Sequence, residues 1–352
     1  MEESSEKPRR RPRYAGRNPR NFQDKYKEHQ PEKYPDDIRK IIEGGKTPAG
    51  MHRPIMMDEV LQVLSLRPGD TVVDCTLGYG GHASAILNKI QPGGCLLGLD
   101  ADPIELPKTE SRLRSQVTSD TKIQLRRLNF AGISQFLATE APEGVDAVLV
   151  DLGCSSMQLD DPNRGFSFKL DGPLDMRMNP NRGVPVSELL LSLNHSQLVS
   201  ILVENADEPN ADRLATAILR VQKKGRIETT LSLANIVRQQ MGELADEELD
   251  RTIRRVFQSL RIAVNEEFQT LDAFLSQIPY FMKKGGRLAM ISFHSGEDRR
   301  VKASFKQGLE SGCYCEISKD IIRPSLEEQN ANQRSRSAKL RFAIRSQQSN
   351  LG

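Results

Sequence analysis

Thr71-Val72-Val73-Asp74-Cys75-Thr76-Leu77-Gly78-Tyr79-Gly80-Gly81-His82 is the stretch on which the reading of the fold turns. A short apolar strand ends on an acid and runs into a glycine-rich turn. Glycines there let the backbone approach a ligand closely and enter a helix whose N-terminal amides face it. In open α/β sheets such turns lie at the carboxyl ends of the strands, where ligands bind.

The surrounding sequence repeats the pattern. Cys95-Leu96-Leu97-Gly98-Leu99-Asp100, introduced by Pro92-Gly93-Gly94, reads as a second strand. Ile123 and Leu125 mark a weaker third, and Val145-Asp146-Ala147-Val148-Leu149-Val150-Asp151 a fourth. Helix-length stretches separate them, which is the signature of βαβ units and a parallel sheet. Before the first strand, Val60, Leu61, Val63 and Leu64 suggest a short amphipathic helix stopped by Arg67-Pro68-Gly69-Asp70. From about 185 to 275 the periodicity is helical. Strand signal returns at 287–293 and at 338–344. The expected fold is therefore a doubly wound, Rossmann-like α/β sheet, rich in parallel strands and interrupted by a helical insertion. The expected domains are a disordered basic arm over 1–50, a discontinuous α/β domain over 51–160 and 275–345, and a helical insertion over 161–274 that serves substrate recognition. Order is expected to begin near His52.

Composition narrows the class. The 352 residues are 37% hydrophobic and 28% charged, with no apolar run long enough to cross a bilayer. The N-terminus lacks an apolar core, and Glu2, Glu3 and Glu6 argue against a transit peptide, so a cytoplasmic location is expected. Five cysteines without a C-x-x-C pair point to reduced thiols rather than disulfides. No spacing of Cys and His suggests a metal, and Cys313 and Cys315 read as alternating positions of a late strand. Net charge is only +3, but arginines crowd the first twenty residues and again the stretch from Arg334 to Arg341. Clusters of that kind attract phosphate backbones.

Two cofactors compete for the turn. Gly78-x-Gly80-x-x-Ala83 with Asp100 downstream also satisfies the dinucleotide fingerprint. Two features favour S-adenosylmethionine. Asp74 precedes the glycines, where it can serve the amino group of a methionine moiety. The acid pair of Asp100-Ala101-Asp102-Pro103 follows the next strand, where Asp100 can accept from ribose hydroxyls. Beside this turn, the fourth strand leaves on Asp151-Leu152-Gly153-Cys154-Ser155-Ser156-Met157-Gln158-Leu159-Asp160. A methyl acceptor belongs there. An exocyclic amine on a base is a poor nucleophile, so it must be held in line with the methyl group and offered proton acceptors. Asp151 is of the right type.

Asp151–Asp160, followed by Arg164-Gly165-Phe166-Ser167-Phe168 and Asp171-Gly172-Pro173-Leu174-Asp175-Met176-Arg177-Met178, resembles the RsmH (MraW) family. The resemblance continues through 255–262, Ile291-Ser292-Phe293-His294-Ser295 and 334–341, and covers His52 to about Ile344, leaving the basic arm outside. It implies a class I methyltransferase that uses S-adenosylmethionine to modify the exocyclic N4 of a cytidine in the decoding region of small-subunit (16S) ribosomal RNA. The partner implied is the small ribosomal subunit; whether the chain forms a homodimer stays open. Donor contacts fall by this resemblance on Gly80, Gly81, His82, Asp100, Phe130, Asp151 and Gln158, with Phe130 against the adenine ring. Departures occur at Cys75–Tyr79, at Ala206-Asp207-Glu208 and at Ser295-Gly296-Glu297-Asp298, where charges survive but helix geometry can differ.

Around 251–264 an apolar face (Ile253, Val256, Phe257, Leu260, Val264) opposes Arg251, Arg254, Arg255 and Arg261. With an RNA substrate implied, this helix and Arg334–Arg341 are expected to hold phosphates around an unstacked cytidine. His294 is a candidate general base, disfavoured because the amine loses its proton only after the new bond forms. Asp175 and Arg177 are candidate substrate-loop residues.

Overall fold

The structure, a computed structural model, describes residues 54–117 and 120–347. The basic arm and His52 lie outside the described residues. Along the chain come α1 (Met57–Leu64), β1 (Thr71–Asp74), α2 (Gly81–Ile90), β2 (Cys95–Asp100), α3 (Leu106–Arg114), β3 (Lys122–Arg127), α4 (Ile133–Glu140) and β4 (Val145–Asp151). After the short α5 (Ser156–Asp160), the helices α6 (Val186–Ser192), α7 (His195–Ala206), α8 (Ala211–Gln222), α9 (Thr230–Gln240), α10 (Asp246–Asn265) and α11 (Glu267–Gln277) follow. The chain returns through β5 (Met282–Ser292), α12 (Ser295–Glu310), β6 (Tyr314–Ile317), α13 (Leu326–Ala331) and β7 (Lys339–Arg345). β5 starts five residues before the stretch expected from the sequence, because Met282–Gly286 is poor in apolar side chains. Cys315 lies within β6, whereas Cys313 precedes it.

The sheet runs β3-β2-β1-β4-β5-β7-β6, with β3 through β5 parallel and β7 antiparallel to both of its neighbours. Both faces are covered, and the strands divide their side chains between them. Val73, Leu97, Leu99, Val148, Val150, Leu288 and Met290 pack on one side with Phe136, Phe274 and Phe305 of α4, α11 and α12. Val72, Leu96, Ala147, Leu149, Ala289 and Ile291 pack on the other with Val60, Ile86, Leu87 and Leu113 of α1, α2 and α3. That two-sided burial is why the central strands read as unbroken apolar runs. The sequence reading of a Rossmann-like, parallel-rich sheet interrupted by helices is what the topology has.

A separate apolar cluster forms among the intervening helices. It unites Phe166, Leu174 and Met176 of the long loop with Leu202, Leu214, Ile218, Leu233, Val237, Ile253, Val256, Phe257 and Leu260. The α10 residues follow the i, i+3, i+4, i+7 spacing that turns one stripe inward. Its first turn carries Asp246, Glu247 and Glu248, which suits the positive end of the helix dipole. α11 behaves differently: Leu271, Phe274 and Leu275 pack into the core of the sheet.

Chain order reverses between β1 and β4, because β2 and β3 lie on one side of β1 while β4 and β5 lie on the other. Loops leaving neighbouring strands diverge there and leave a crevice at the carboxyl ends. Asp74, Asp100 and Asp151 are the last residues of β1, β2 and β4, so the topology brings three carboxylates to one crevice. Among the described residues, no helix is long and apolar enough to cross a membrane.

Candidate active site

The turn after β1 is held from several directions. Gly80 adopts φ 80°, in the left-handed region where a side chain is strained, and its Cβ would come within 2.7 Å of Thr109. A Cβ on Gly81 would approach Pro54 to 2.3 Å. Thr109 Oγ1 donates to the Gly78 carbonyl (2.7 Å) and Arg112 donates to that of Tyr79 (2.7 Å), with the Arg112 guanidinium 3.5 Å from the centre of the Tyr79 ring. Thr109 and Arg112 therefore brace the turn from α3. The sequence offered no signal for them, because a helix facing a loop has no fixed spacing to it.

Asp100 is half-buried at the end of β2. Its Oδ2 accepts from Gly78 N (2.6 Å) and its Oδ1 from Asp102 N (2.7 Å). Burial, aided by the charges of Asp102 and Glu105, raises its pKa to about 6 against the lowering effect of those two amides. Each oxygen keeps a second lone pair for an outside donor. Asp151 N donates to Thr76 Oγ1 (2.6 Å), which joins the two loops across the crevice. The Asp151 side chain is 26% exposed, yet its Oδ1 is fully covered and has no hydrogen-bond partner. Desolvation, with Asp74 and Glu297 nearby, pushes the Asp151 carboxyl up to about 8. A buried acceptor without a donor is costly in a folded protein.

Asp74 differs from its expected role. It is only 1% exposed, its Oδ1 accepts from Thr76 N (3.1 Å), and burial raises it to about 7. It supports the turn from beneath. His82 is buried in the first turn of α2. Its Nε2 lies 3.0 Å from the Ile55 carbonyl, and its Nδ1 is 3.8 Å from Asp151 Oδ2. Desolvation lowers its pKa to about 4, so it is a neutral imidazole. Because a carbonyl can only accept, Nε2 carries the proton and Nδ1 presents a lone pair towards Asp151.

Phe130 sits in the turn after β3, half-buried and edge-on to Phe274 with ring centroids 5.5 Å apart. Gln158 closes the far side. Its Oε1 accepts from Ser155 N and its backbone N donates to Ser155 Oγ, the two halves of a capping box, while Nε2 donates to Asp102 Oδ2 (2.9 Å). Gly80, Gly81, His82, Asp100, Asp151 and Gln158 thus lie on loops joined to one another by hydrogen bonds, with Phe130 on the neighbouring turn after β3.

The arginines expected to meet phosphates each face a carboxylate within the fold. Arg255 pairs with the fully buried Glu208 (2.6 Å) and with Glu248 (2.7 Å), and Arg261 pairs at 2.8 Å with both Glu267 oxygens. Arg251 is paired with Glu247, and Arg254 faces Asp250 at 3.3 Å. Arg334 holds Asp160 (2.6 Å), and Arg341, itself buried, holds Asp298 (2.7 Å). Arg255, Arg261, Arg334 and Arg341 tie elements of the fold together, whereas Arg251 and Arg254 pair within α10. Removing one partner of a buried pair costs about 3–5 kcal/mol, so a charge reversal at Arg255 reads stability before it reads RNA affinity. Arg177 likewise closes a bidentate pair on Asp175 (2.8 and 2.7 Å), and both are drawn into the loop itself.

His294 is the N-cap of α12. Its Nδ1 accepts from Glu297 N and its ring leans on Phe268. Glu267, His294 and Glu297 bring three ligand-type atoms within 4.8 Å of one another. Both oxygens of Glu267 are taken by Arg261, and Glu297 Oε2 accepts from Phe293 N (2.8 Å), which accounts for the cluster as an ion pair beside a helix cap. The five cysteines are free thiols.

Comparison with known proteins adds the family. A model of the MraW methylase family matches residues 49–346. A protein of Lachnoclostridium phytofermentans named "Ribosomal RNA small subunit methyltransferase H 1" is 46% identical over 342 residues, covering 96% of this chain and 93% of its own length. One of Alkaliphilus metalliredigens named "Ribosomal RNA small subunit methyltransferase H 2" is 46% identical over 350 residues, 98% of this chain and all of its own. That alignment extends into the basic arm, which the motifs alone leave outside. A solved structure titled as a putative rRNA-methylase from Clostridium thermocellum superposes with a TM-score of 0.39 at 14% identity, covering 82% of this chain and 94% of that one.

Proposed function

The chain belongs to the MraW methylase family, and from that premise we propose that it transfers a methyl group from S-adenosylmethionine to the exocyclic N4 of a cytidine in the decoding region of small-subunit (16S) ribosomal RNA. It is a ribosomal RNA methyltransferase, and the base, the atom and the region are the finer part of the proposal. The observation that carries the chemistry is the Asp151 carboxyl at the end of β4, 26% exposed, with one oxygen that no protein group satisfies.

When bound, S-adenosylmethionine supplies an electrophilic methyl group on a positively charged sulfur. In this reading the amides from Gly80 to His82 face the donor's carboxylate, the free lone pairs of Asp100 take its ribose hydroxyls, and Phe130 lies against its adenine. Asp151 accepts a hydrogen bond from the cytosine amine, which draws the nitrogen lone pair out of conjugation and aims it at the methyl carbon. As the new bond to nitrogen forms, the electron pair of the breaking bond goes to sulfur. The extra proton on nitrogen then passes to the Asp151 carboxylate. His82, a neutral imidazole that donates to the Ile55 carbonyl, lies beside that carboxyl with its Nδ1 3.8 Å from Oδ2. The intervening helices and the loop over 161–274 form the acceptor side, and the protein works in the cytoplasm on the small subunit.

Nucleoside mapping by mass spectrometry tests this. Small subunits from cells lacking the chain should lose one methyl group from one cytidine and regain it on incubation with protein and donor. A methyl group restored to another base or to a ribose would overturn the assignment of N4.

The carboxyls add a pH dependence. Their folded-state pKa values, about 7, 6 and 8 for Asp74, Asp100 and Asp151, lie above the ordinary carboxylate range. The unliganded fold therefore keeps protons that the unfolded chain has released, and its stability falls as pH rises from that range through about 8. A donor with net positive charge favours the ionised forms, so its affinity should rise between pH 6 and 8 with release of protons. Calorimetry in buffers of different ionisation enthalpy reads this; affinity constant with pH and no proton release would contradict it.

A further inference from the structure

We infer that Asp102 is a positioning residue that couples occupancy of the donor crevice to the acceptor loop, an inference that rests on the reading of the cleft given above. The observation is a junction of hydrogen bonds on one buried carboxylate. Asp102 is 2% exposed, and its backbone N donates to Asp100 Oδ1 (2.7 Å), so the two acids move together. Oδ1 accepts from Ile104 N (2.9 Å), which fixes the orientation of the carboxylate. Oδ2 then takes two donors at once, Gln158 Nε2 at 2.9 Å and Arg164 Nη1 at 2.8 Å.

Each partner continues the chain. Gln158 is the third residue of α5 and closes its capping box with Ser155, on the segment that follows β4 and Asp151. The other terminal nitrogen of Arg164 donates to the carbonyls of Arg177 (3.1 Å) and Met178 (2.8 Å), and Met176 N donates back to the Arg164 carbonyl (3.1 Å). Asn265, at the end of α10, accepts from Met178 N (2.7 Å) and donates to the Met176 carbonyl (2.8 Å). A continuous path therefore runs from the ribose-binding acid, through one oxygen of Asp102, to both acceptor-side segments. Arg164 is 10% exposed and Asp102 3% on their side chains, so water does not loosen the pair. Reacting atoms must meet within about 3–3.5 Å, and a misplacement of about 1 Å can cost a hundredfold in rate. Binding coupled this way is reciprocal: donor tightens acceptor and acceptor tightens donor.

Asp102→Asn separates this from a general structural role. Because Oδ1 must still accept from Ile104 N, the new amide nitrogen takes the Oδ2 position and faces two donors. The junction breaks while the shape is kept. For Asp102→Asn, kcat on small subunits should fall by about 10- to 100-fold, with the Kd for S-adenosylhomocysteine changed less than about threefold. Amide hydrogen exchange gives a readout that needs no RNA. In the wild type, S-adenosylhomocysteine should slow exchange across 158–178 as well as 76–82; in Asp102→Asn the slowing should be confined to 76–82. Undiminished slowing at 158–178, or a loss of kcat matched by an equal loss of donor-product affinity, would overturn the inference. If the wild type methylates no small subunit, the function proposed above fails, and the exchange result still decides whether Asp102 couples the two sites.

Discussion

Asp151→Asn should lower single-turnover methyl transfer by on the order of 10²–10⁴ while leaving the melting temperature at or above that of the wild type. The two halves have one cause. Asp151 carries a covered, unpartnered oxygen and a carboxyl pushed up to about 8 by desolvation, so the unliganded fold bears the cost of a group it does not use internally. A neutral amide of the same shape relieves that cost. It also removes the proton acceptor, and a methylated amine that cannot lose its proton to a carboxylate must lose it to water. Active-site groups commonly show this opposition between stability and activity. A lower melting temperature together with near-normal turnover would mean that Asp151 merely finishes β4.

Asp100→Ala should weaken binding of S-adenosylhomocysteine by about a hundredfold or more, measured by calorimetry. Two hydrogen bonds from ribose hydroxyls to a carboxylate, at about 1.5–3 kcal/mol each, place the loss at roughly 3–6 kcal/mol before any relaxation. The fold also suffers, since Gly78 N and Asp102 N lose their acceptor. Asp100→Asn controls for that by keeping one acceptor oxygen, and it should bind the product with intermediate affinity. If both variants bind as the wild type does, Asp100 is a brace for the turn and nothing more.

Much of this arrangement is visible in the residues themselves. Val72, Val73, Leu96, Leu97, Val148 and Leu149 announce a sheet buried on both faces, because only such a sheet wants apolar side chains at consecutive positions. Acids at the ends of three of those strands, with glycines after the first, point to the crevice. The roles of individual charges were less legible. Arg255, Arg334 and Arg341 look like a basic surface in one dimension, yet each meets a carboxylate from a distant segment, and such pairings have no periodicity to read. Asp74 looks like a ligand-binding acid because it sits where one belongs; only the three-dimensional cover over it shows otherwise. Asp102 was visible as half of an acid pair, but its partners lie 56 and 62 residues away and no local rule connects them.

In the proposed function the crevice at the ends of β1, β2 and β4 grips a methyl donor rather than a redox cofactor. Isothermal titration of the purified chain with S-adenosylhomocysteine and with NADH tests this most directly. One site per chain for S-adenosylhomocysteine, weakened in Asp100→Ala, with no heat from NADH, is the predicted result. Binding of NADH at that site with no uptake of S-adenosylhomocysteine would contradict it.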